Sequence, residues 1–154
     1  MKGNSERVPN KNLKSFIDKP LYHAICQQVI KSKYINEVII NTDSPLITED
    51  VNKYFADFRI NKRPDYLLGD FVPMNDIISY DLNVSDGQVV VQTHSTNPLL
   101  LASTLDKAIE FFMNNTDKYD SLFSVSRMQT RLYWEDGLPI NHNPSELLRT
   151  QDLP

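Results

Sequence analysis

The chain has 154 residues, of which 40% are hydrophobic and 23% are charged, a composition typical of one globular domain and not of a disordered polymer. Sixteen basic and twenty acidic residues give a formal net charge of −4, which argues against nucleic acid as a partner because no broad basic surface is available. No run approaches the ~20 apolar residues of a membrane span, so we also expect no membrane partner.

The first half of the chain alternates between loops and regular elements. Residues 1–12 are polar, with cations at positions 2, 7 and 11, and predict an ordered loop. Apolar residues at helical spacing predict a helix over 20–32. A continuous apolar run in the middle of the next segment, 37–41, predicts a buried strand. Ser44 as an N-cap, followed by a proline, predicts a second helix to about residue 54.

The second half continues the alternation. Residues 58–72 are expected to form a loop and 73–82 a helix that its proline begins. A strand is predicted over 89–91, a helix over 103–114 and a third strand over 122–125. The Asp-Gly step inside 131–140 predicts a turn between two short flanking segments.

Strands separated by helices of this length predict an α/β fold with a mainly parallel sheet and helices on both faces. In such sheets ligands bind at the carboxyl ends of the strands. Three polar segments follow the predicted strands, at 41–43, 92–94 and 126–127, and we expect one cleft there.

Two residue types bear on compartment and chemistry. Cys26 is the single cysteine and has no partner for an internal disulfide, which favours the cytoplasm, and its helical pattern favours core packing. His23 is interpreted as a surface or hydrogen-bonded histidine and not as a metal ligand.

Residues 3–12 read Gly-Asn-Ser-Glu-Arg-Val-Pro-Asn-Lys-Asn and resemble the signature loop of the acylneuraminate cytidylyltransferase family. Further segments are similar to family landmarks in the same order: Asp-Lys-Pro-Leu at 18–21, Val-Ile-Ile-Asn-Thr-Asp at 38–43, Arg63-Pro64 and the segment 93–99. The resemblance implies a Rossmann-like nucleotide-diphospho-sugar transferase fold over 1–154, with a dimerisation insert at 127–148 and a homodimer. It also implies a Mg²⁺-dependent transfer of CMP from CTP to a sialic-acid-like sugar acid, with release of pyrophosphate.

The resemblance carries site residues over by position. The residues that would bind the nucleotide are Lys2, Gly3, Asn4, Ser5, Arg7, Lys11, Asn12, Arg63 and Asp76. Among them Arg7 and Lys11 would be catalytic, by holding the triphosphate. The residues that would bind the sugar are His94, Arg149 and Gln151. Asp43 is a weak candidate for a metal ligand, and a turn or cap role is the alternative.

The chain departs from the family pattern in ways that leave other functions open. Lys2 replaces an arginine and Glu6 a lysine in the phosphate loop, and His94 replaces a glutamine. The chain also starts inside the loop and stops before the family's metal-binding aspartates, as a fragment without the first strand would. Alternatives are therefore a cytidylyltransferase for another sugar acid or polyol, or an inactive nucleotide-binding or dimerisation module.

Overall fold

The computed structural model describes residues 1–3, 8–69, 71–146 and 148–153. The chain divides into two compact units, Met1–Lys118 and Tyr119–Pro154. Among the described residues, the α-helices and the strands all lie in the first unit. The second unit is mostly irregular backbone with one short 3₁₀ turn.

The regular elements follow one another in α/β order. The strands are β1 (Ser15–Phe16), β2 (Lys19–Pro20), β3 (Ile39–Thr42) and β4 (Arg59–Lys62). The α-helices are α1 (Leu21–Ile30), α2 (Pro45–Tyr54), α3 (Met74–Leu82) and α4 (Ala102–Met113). Short 3₁₀ turns occur at Lys11–Leu13, Asp65–Leu67 and Thr150–Asp152. The four predicted helices are thus confirmed, with ends shifted by one or two residues.

The parallel pair β3–β4 forms the sheet of the first unit. Its register pairs Ile39 with Arg59 and Thr42 with Lys62, so both strands end at the same edge. α2 connects the two strands, which is the crossover that a parallel pair requires. Strands β1 and β2 form a separate antiparallel hairpin.

Helix α2 begins where the sequence predicts. Ser44 is its N-cap, and the Ser44 hydroxyl accepts a hydrogen bond of 3.3 Å from the Ile47 amide. Pro45 occupies the first turn, where its missing N–H is not needed. The strand end, the cap and the helix therefore follow one another with no intervening loop.

Two apolar clusters bury the inner faces of the helices. The larger joins α1 and α2 and consists of Tyr22, Cys26, Ile47, Val51, Phe55 and Phe58. The smaller joins α1 to α4 and consists of Ile25, Val29 and Leu105. Cys26 therefore packs in the core, as predicted. His23 is buried and its Nε2 lies 2.5 Å from Asp50 Oδ2, so it is the hydrogen-bonded histidine of the two alternatives.

Two predicted strands are wrong. The run 89–91 and the run 122–125 have no strand structure, and within the described ranges no backbone hydrogen bond joins either run to a neighbouring strand. Val90 is 50% exposed and Phe123 is 81% exposed. An apolar run forms a strand only when a partner satisfies its backbone donors and acceptors, and among the described residues neither run has such a partner.

One strand was missed. β4 lies inside the segment predicted to be a loop, because its residues Arg59-Ile60-Asn61-Lys62 lack the apolar run of a buried strand. Pairing with β3 provides its backbone partners, and the Asp81 carboxylate accepts a hydrogen bond from buried Asn61.

The predicted turn in the second unit is confirmed. The Trp134 amide donates to Leu138 O at 2.8 Å, and the Ile140 amide donates to Leu132 O at 2.9 Å. Gly137 has a φ of 84°, which a glycine adopts without strain. The role of 127–148 in dimerisation stays a prediction. Among the described residues, no helix has the length and apolarity to cross a membrane.

We expect Val51→Ala to lower the free energy of unfolding by about 2 kcal/mol, because it removes two fully buried methyl groups and leaves a cavity. Val90→Ala is the matched control, and its half-exposed side chain predicts a change within about 0.5 kcal/mol. Urea denaturation of both variants measures the difference. A large loss at Val90 would instead indicate that 89–91 is a buried strand.

We expect the Cys26 thiol to resist alkylation in the folded chain. Burial, with a smaller contribution from the Asp50 charge, raises its pKa from an ordinary 9.0 to about 12, so the reactive thiolate is rare. Raising the pH from about 7 to 9 should accelerate the reaction in denaturant but leave the folded protein slow to react. Mass spectrometry after a timed iodoacetamide pulse tests this. Equal rates in the two states would contradict the buried position.

Candidate nucleotide site at the ends of β3 and β4

The carboxyl ends of β3 and β4 form a polar edge, of which the sequence predicted only the part that follows β3, at 41–43. Thr42 ends β3 and is buried, and Asp43 follows it at the surface. The Arg63 amide, directly after β4, donates to Thr42 O at 3.0 Å. Asp43 and Arg63 therefore leave neighbouring strands at the same edge of the sheet, where parallel α/β proteins bind ligands.

The opening segment lies against this edge. The Met1 backbone nitrogen donates to the carbonyl of Asn41, and the Gly3 amide donates to Asp43 Oδ1 at 2.6 Å. A Cβ on Gly3 would come within 2.9 Å of Ser44 Cβ, so glycine is needed for this close approach. The Asp43 carboxylate therefore helps to hold the opening segment at the strand end, and its assignment as a metal ligand or as a turn or cap residue stays a prediction.

Asn12 connects the opening segment to a second loop. It is 7% exposed, its Nδ2 donates to Lys2 O at 3.1 Å, and its Oδ1 accepts from Ser95 Oγ at 2.8 Å. Ser95 lies in a turn closed by a hydrogen bond of 3.1 Å from the Asn97 amide to His94 O. This contact brings the predicted nucleotide loop next to the turn that carries His94, whose own side chain is exposed.

The two described cations of the opening loop, Lys2 and Lys11, differ in their contacts. Lys2 Nζ donates to Gly69 O at 2.8 Å, which connects the loop to the segment after Arg63. Lys11 begins a 3₁₀ turn and is half-buried, and within the described ranges its ammonium forms no hydrogen bond or ion pair. The predicted residues Asn4, Ser5 and Arg7 lie outside the described residues.

Arg63 is the most constrained of the predicted residues. It is 6% exposed, and its Nε donates to Asn41 Oδ1 at 2.6 Å. Burial lowers its pKa below the ordinary value, while the carboxylates of Asp43 and Asp81 oppose that shift by favouring the cation. The guanidinium therefore stays at the site as a charge balanced by two nearby carboxylates.

Three polar residues lie beneath Arg63: Asn41, Asn61 and Asp81. The sequence analysis placed Asn41 in the segment 41–43 at the expected cleft but gave no role to Asn61 or Asp81. Their side chains connect Arg63 to α3, since Asp81 Oδ1 accepts from Asn41 Nδ2 at 2.7 Å and from Asn61 Nδ2 at 2.6 Å. The one signal in the sequence is the asparagine in each of the two strands. Their pairing in register becomes visible only once the strands are aligned.

The other three predicted residues lie on α3 and in the second unit. Asp76 is exposed in the first turn of α3. Arg149 and Gln151 belong to the second unit, where Arg149 Nε pairs with Asp152 Oδ2 at 2.7 Å. The Gln151 carbonyl accepts a hydrogen bond of 2.8 Å from Gln129 Nε2. Their assignments stay predictions.

The described residues contain no group of three His, Cys, Asp or Glu side chains placed to bind a metal ion. Asp43 offers one carboxylate at the site, and the Gly3 amide already occupies one of its oxygens. Asp43 alone therefore does not make a complete Mg²⁺ site, which in proteins uses one or two carboxylates together with substrate phosphates.

The architecture has a counterpart among solved structures. CMP:2-keto-3-deoxy-manno-octonic acid synthetase, solved in complex with CTP, superposes with a TM-score of 0.66 at 14% identity, over 75% of this chain and 46% of that one. The fold is thus a nucleotidyltransferase fold. The profile of the family described as Cytidylyltransferase matches residues 1–154, and the chain belongs to that family.

Curated relatives are similar over most of the chain. A Helicobacter pylori protein, named as pseudaminic acid cytidylyltransferase and UDP-2,4-diacetamido-2,4,6-trideoxy-beta-L-altropyranose hydrolase, is 26% identical over 99% of the chain and 30% of its own length. A Campylobacter jejuni pseudaminic acid cytidylyltransferase is 27% identical over 83% of the chain and 56% of its own length. An Escherichia coli N-acylneuraminate cytidylyltransferase is 26% identical over 96% of the chain. The chain covers only 32% of that last relative.

We expect Asn12→Ala and Ser95→Ala each to lower the free energy of unfolding by about 1–2 kcal/mol, because each leaves a polar group of this part-buried contact without its partner. The double variant should lose less than the sum of the two, with a coupling of about 1 kcal/mol. Urea denaturation of the four proteins measures it. Additive losses would show that the contact does not hold the two loops together.

Proposed function

We propose that this chain is the nucleotide-binding part of an enzyme that transfers CMP from CTP to a sialic-acid-like sugar acid. The observation that carries the proposal is the placement of the signature loop: Gly3 bonds to Asp43 at the strand end, beside Arg63. Membership of the cytidylyltransferase family supports the choice of CTP.

The reaction forms one bond and breaks one. The anomeric hydroxyl oxygen of the sugar attacks the α-phosphorus of CTP, the bond from that phosphorus to the pyrophosphate oxygen breaks, and the hydroxyl proton passes to solvent. Such a transfer depends on positioning and on neutralising phosphate charge. Lys2, Arg7 and Lys11 would supply positive charge, and Asn4 and Ser5 would hold the loop around the triphosphate. Arg63 would contact the cytidine.

Mg²⁺ is proposed as the ion that accompanies CTP, bound mainly through phosphate oxygens. The triphosphate would bring the ion, since Asp43 alone does not complete a site in the described residues.

The sugar is proposed to be an acidic one. The relatives are named for pseudaminic acid, N-acylneuraminate and 3-deoxy-manno-octulosonate, which are all sugar acids. His94 would face the sugar from the turn beside Asn12, and Arg149 and Gln151 would bind its carboxylate or hydroxyls. A cytosolic location fits the use of CTP and the free thiol of Cys26.

A homodimer is proposed through the second unit. Tyr133 and Trp134 expose 53% and 63% of their surfaces beside the Gly137 turn. Adjacent exposed aromatic side chains are typical of an interface between protein chains.

We expect Lys11→Ala to weaken CTP binding by at least about tenfold, because one cation close to the triphosphate is lost. Lys14→Ala is the matched control, since Lys14 is exposed on the same segment outside the signature loop, and it should change the affinity by less than about twofold. Isothermal titration calorimetry with CTP, then ATP, GTP and UTP, measures both affinity and selectivity.

The two variants separate the proposed functions. CTP-selective binding that Lys11→Ala weakens, with pyrophosphate released when a sugar acid is added, supports the enzyme. Selective binding with no pyrophosphate released from any sugar acid supports a nucleotide-binding module. A folded chain that binds no nucleotide contradicts both.

A further inference from the structure

One carboxylate joins the two strands beneath the site. Asp81, in the last turn of α3, accepts through the same oxygen from Asn41 and Asn61, at 2.7 Å and 2.6 Å. Asn41 and Asn61 are direct partners in the parallel register of β3 and β4. Paired residues of neighbouring strands point to the same face of a sheet, so one half-buried acceptor satisfies both amides.

The Asp81 carboxylate determines which end of the Asn41 amide faces Arg63. Asn41 Nδ2 donates to Asp81, which leaves Oδ1 to accept from Arg63 Nε at 2.6 Å. The reversed amide would place NH₂ against a guanidinium that only donates, and a carbonyl oxygen against a carboxylate that only accepts. Both contacts would be repulsive, so the charge of Asp81 keeps Asn41 in the orientation that Arg63 needs.

Arg63 has one side-chain hydrogen bond among the described residues, the contact of its Nε with Asn41. Within the described residues its terminal nitrogens form no hydrogen bond. The residue is 6% exposed, so the Asn41 contact holds a guanidinium that is mostly enclosed at the strand ends. A planar donor pair held in this way is suited to a polar group of a ligand.

We propose that Asp81 is a positioning residue for nucleotide binding, which acts through Asn41 to hold the Arg63 guanidinium at the strand ends, where its terminal nitrogens would meet the ligand. The identity of that ligand rests on the proposed function. Asp81 itself does not touch the ligand. It belongs to α3, whereas the residue it orients follows β4, so the effect passes between elements through side chains alone.

The first test measures Arg63 without any ligand. In the full chain, the Arg63 Nε–H proton should exchange slowly with water because it is buried and bonded to Asn41, and its NMR signal is assigned from its loss in Arg63→Lys. Asp81→Asn keeps the size but removes the charge, and should accelerate this exchange by at least about tenfold. Asn61→Ala is the matched control, since it removes the other donor to Asp81 and leaves the contact between Asn41 and Arg63 in place.

The second test measures nucleotide affinity in the same proteins. Asp81→Asn should weaken CTP binding by about tenfold, and Asn61→Ala by less than about twofold. In an Asn41→Ala background, Asp81→Asn should have no further effect on affinity, which a general loss of stability would not produce. Urea denaturation confirms that each variant is folded under the titration conditions.

The two tests fail separately. Unchanged Arg63 exchange and unchanged CTP affinity in folded Asp81→Asn overturn the positioning role. An undiminished effect of Asp81→Asn in the Asn41→Ala background overturns the route through Asn41. If the exchange responds but the unmodified chain binds no CTP, the nucleotide assignment fails and the proposal is overturned as a nucleotide-positioning device.

Discussion

The site depends on keeping a guanidinium charged at the end of a short parallel strand pair. Arg63 is nearly removed from solvent, and burial disfavours its charged form. The hydrogen bond to Asn41 and the carboxylates of Asp43 and Asp81 offset that cost. The acid that α3 brings beneath the strands adds to the effect of Asp43, so the helix that follows the site is also part of its electrostatics.

The opening loop is positioned by tertiary contacts that the sequence alone does not reveal. Gly3 allows the chain to approach Ser44, and Asp43 accepts its amide, so the loop follows the cap of α2 closely. Asn12 then joins this loop to Ser95 from a distant segment. Three elements far apart in the sequence meet here, and the buried side-chain amide of Asn12 joins the opening loop to the turn of Ser95.

The helices and the first parallel strand could be predicted because their signals are local. Ser44-Pro45 begins α2 through a cap and a preset backbone angle, and apolar spacing marks the buried faces of α1 and α4. The runs at 89–91 and 122–125 carry an equally clear local signal, yet they form no strand. A strand requires a hydrogen-bonding neighbour, and the presence of that neighbour is not a local property.

The sequence by itself determined the family, the α/β class, the loop that carries the cations at positions 2, 7 and 11, and the strand end at which the candidate site lies. Order along the chain and local backbone preferences were sufficient for these. Only the tertiary structure decided that Arg59–Lys62 is a strand, that Asn41 and Asn61 are in register, and that Asp81 reaches both. These contacts span 20 to 40 residues, and no spacing in the sequence encodes which polar groups satisfy one another once water is excluded.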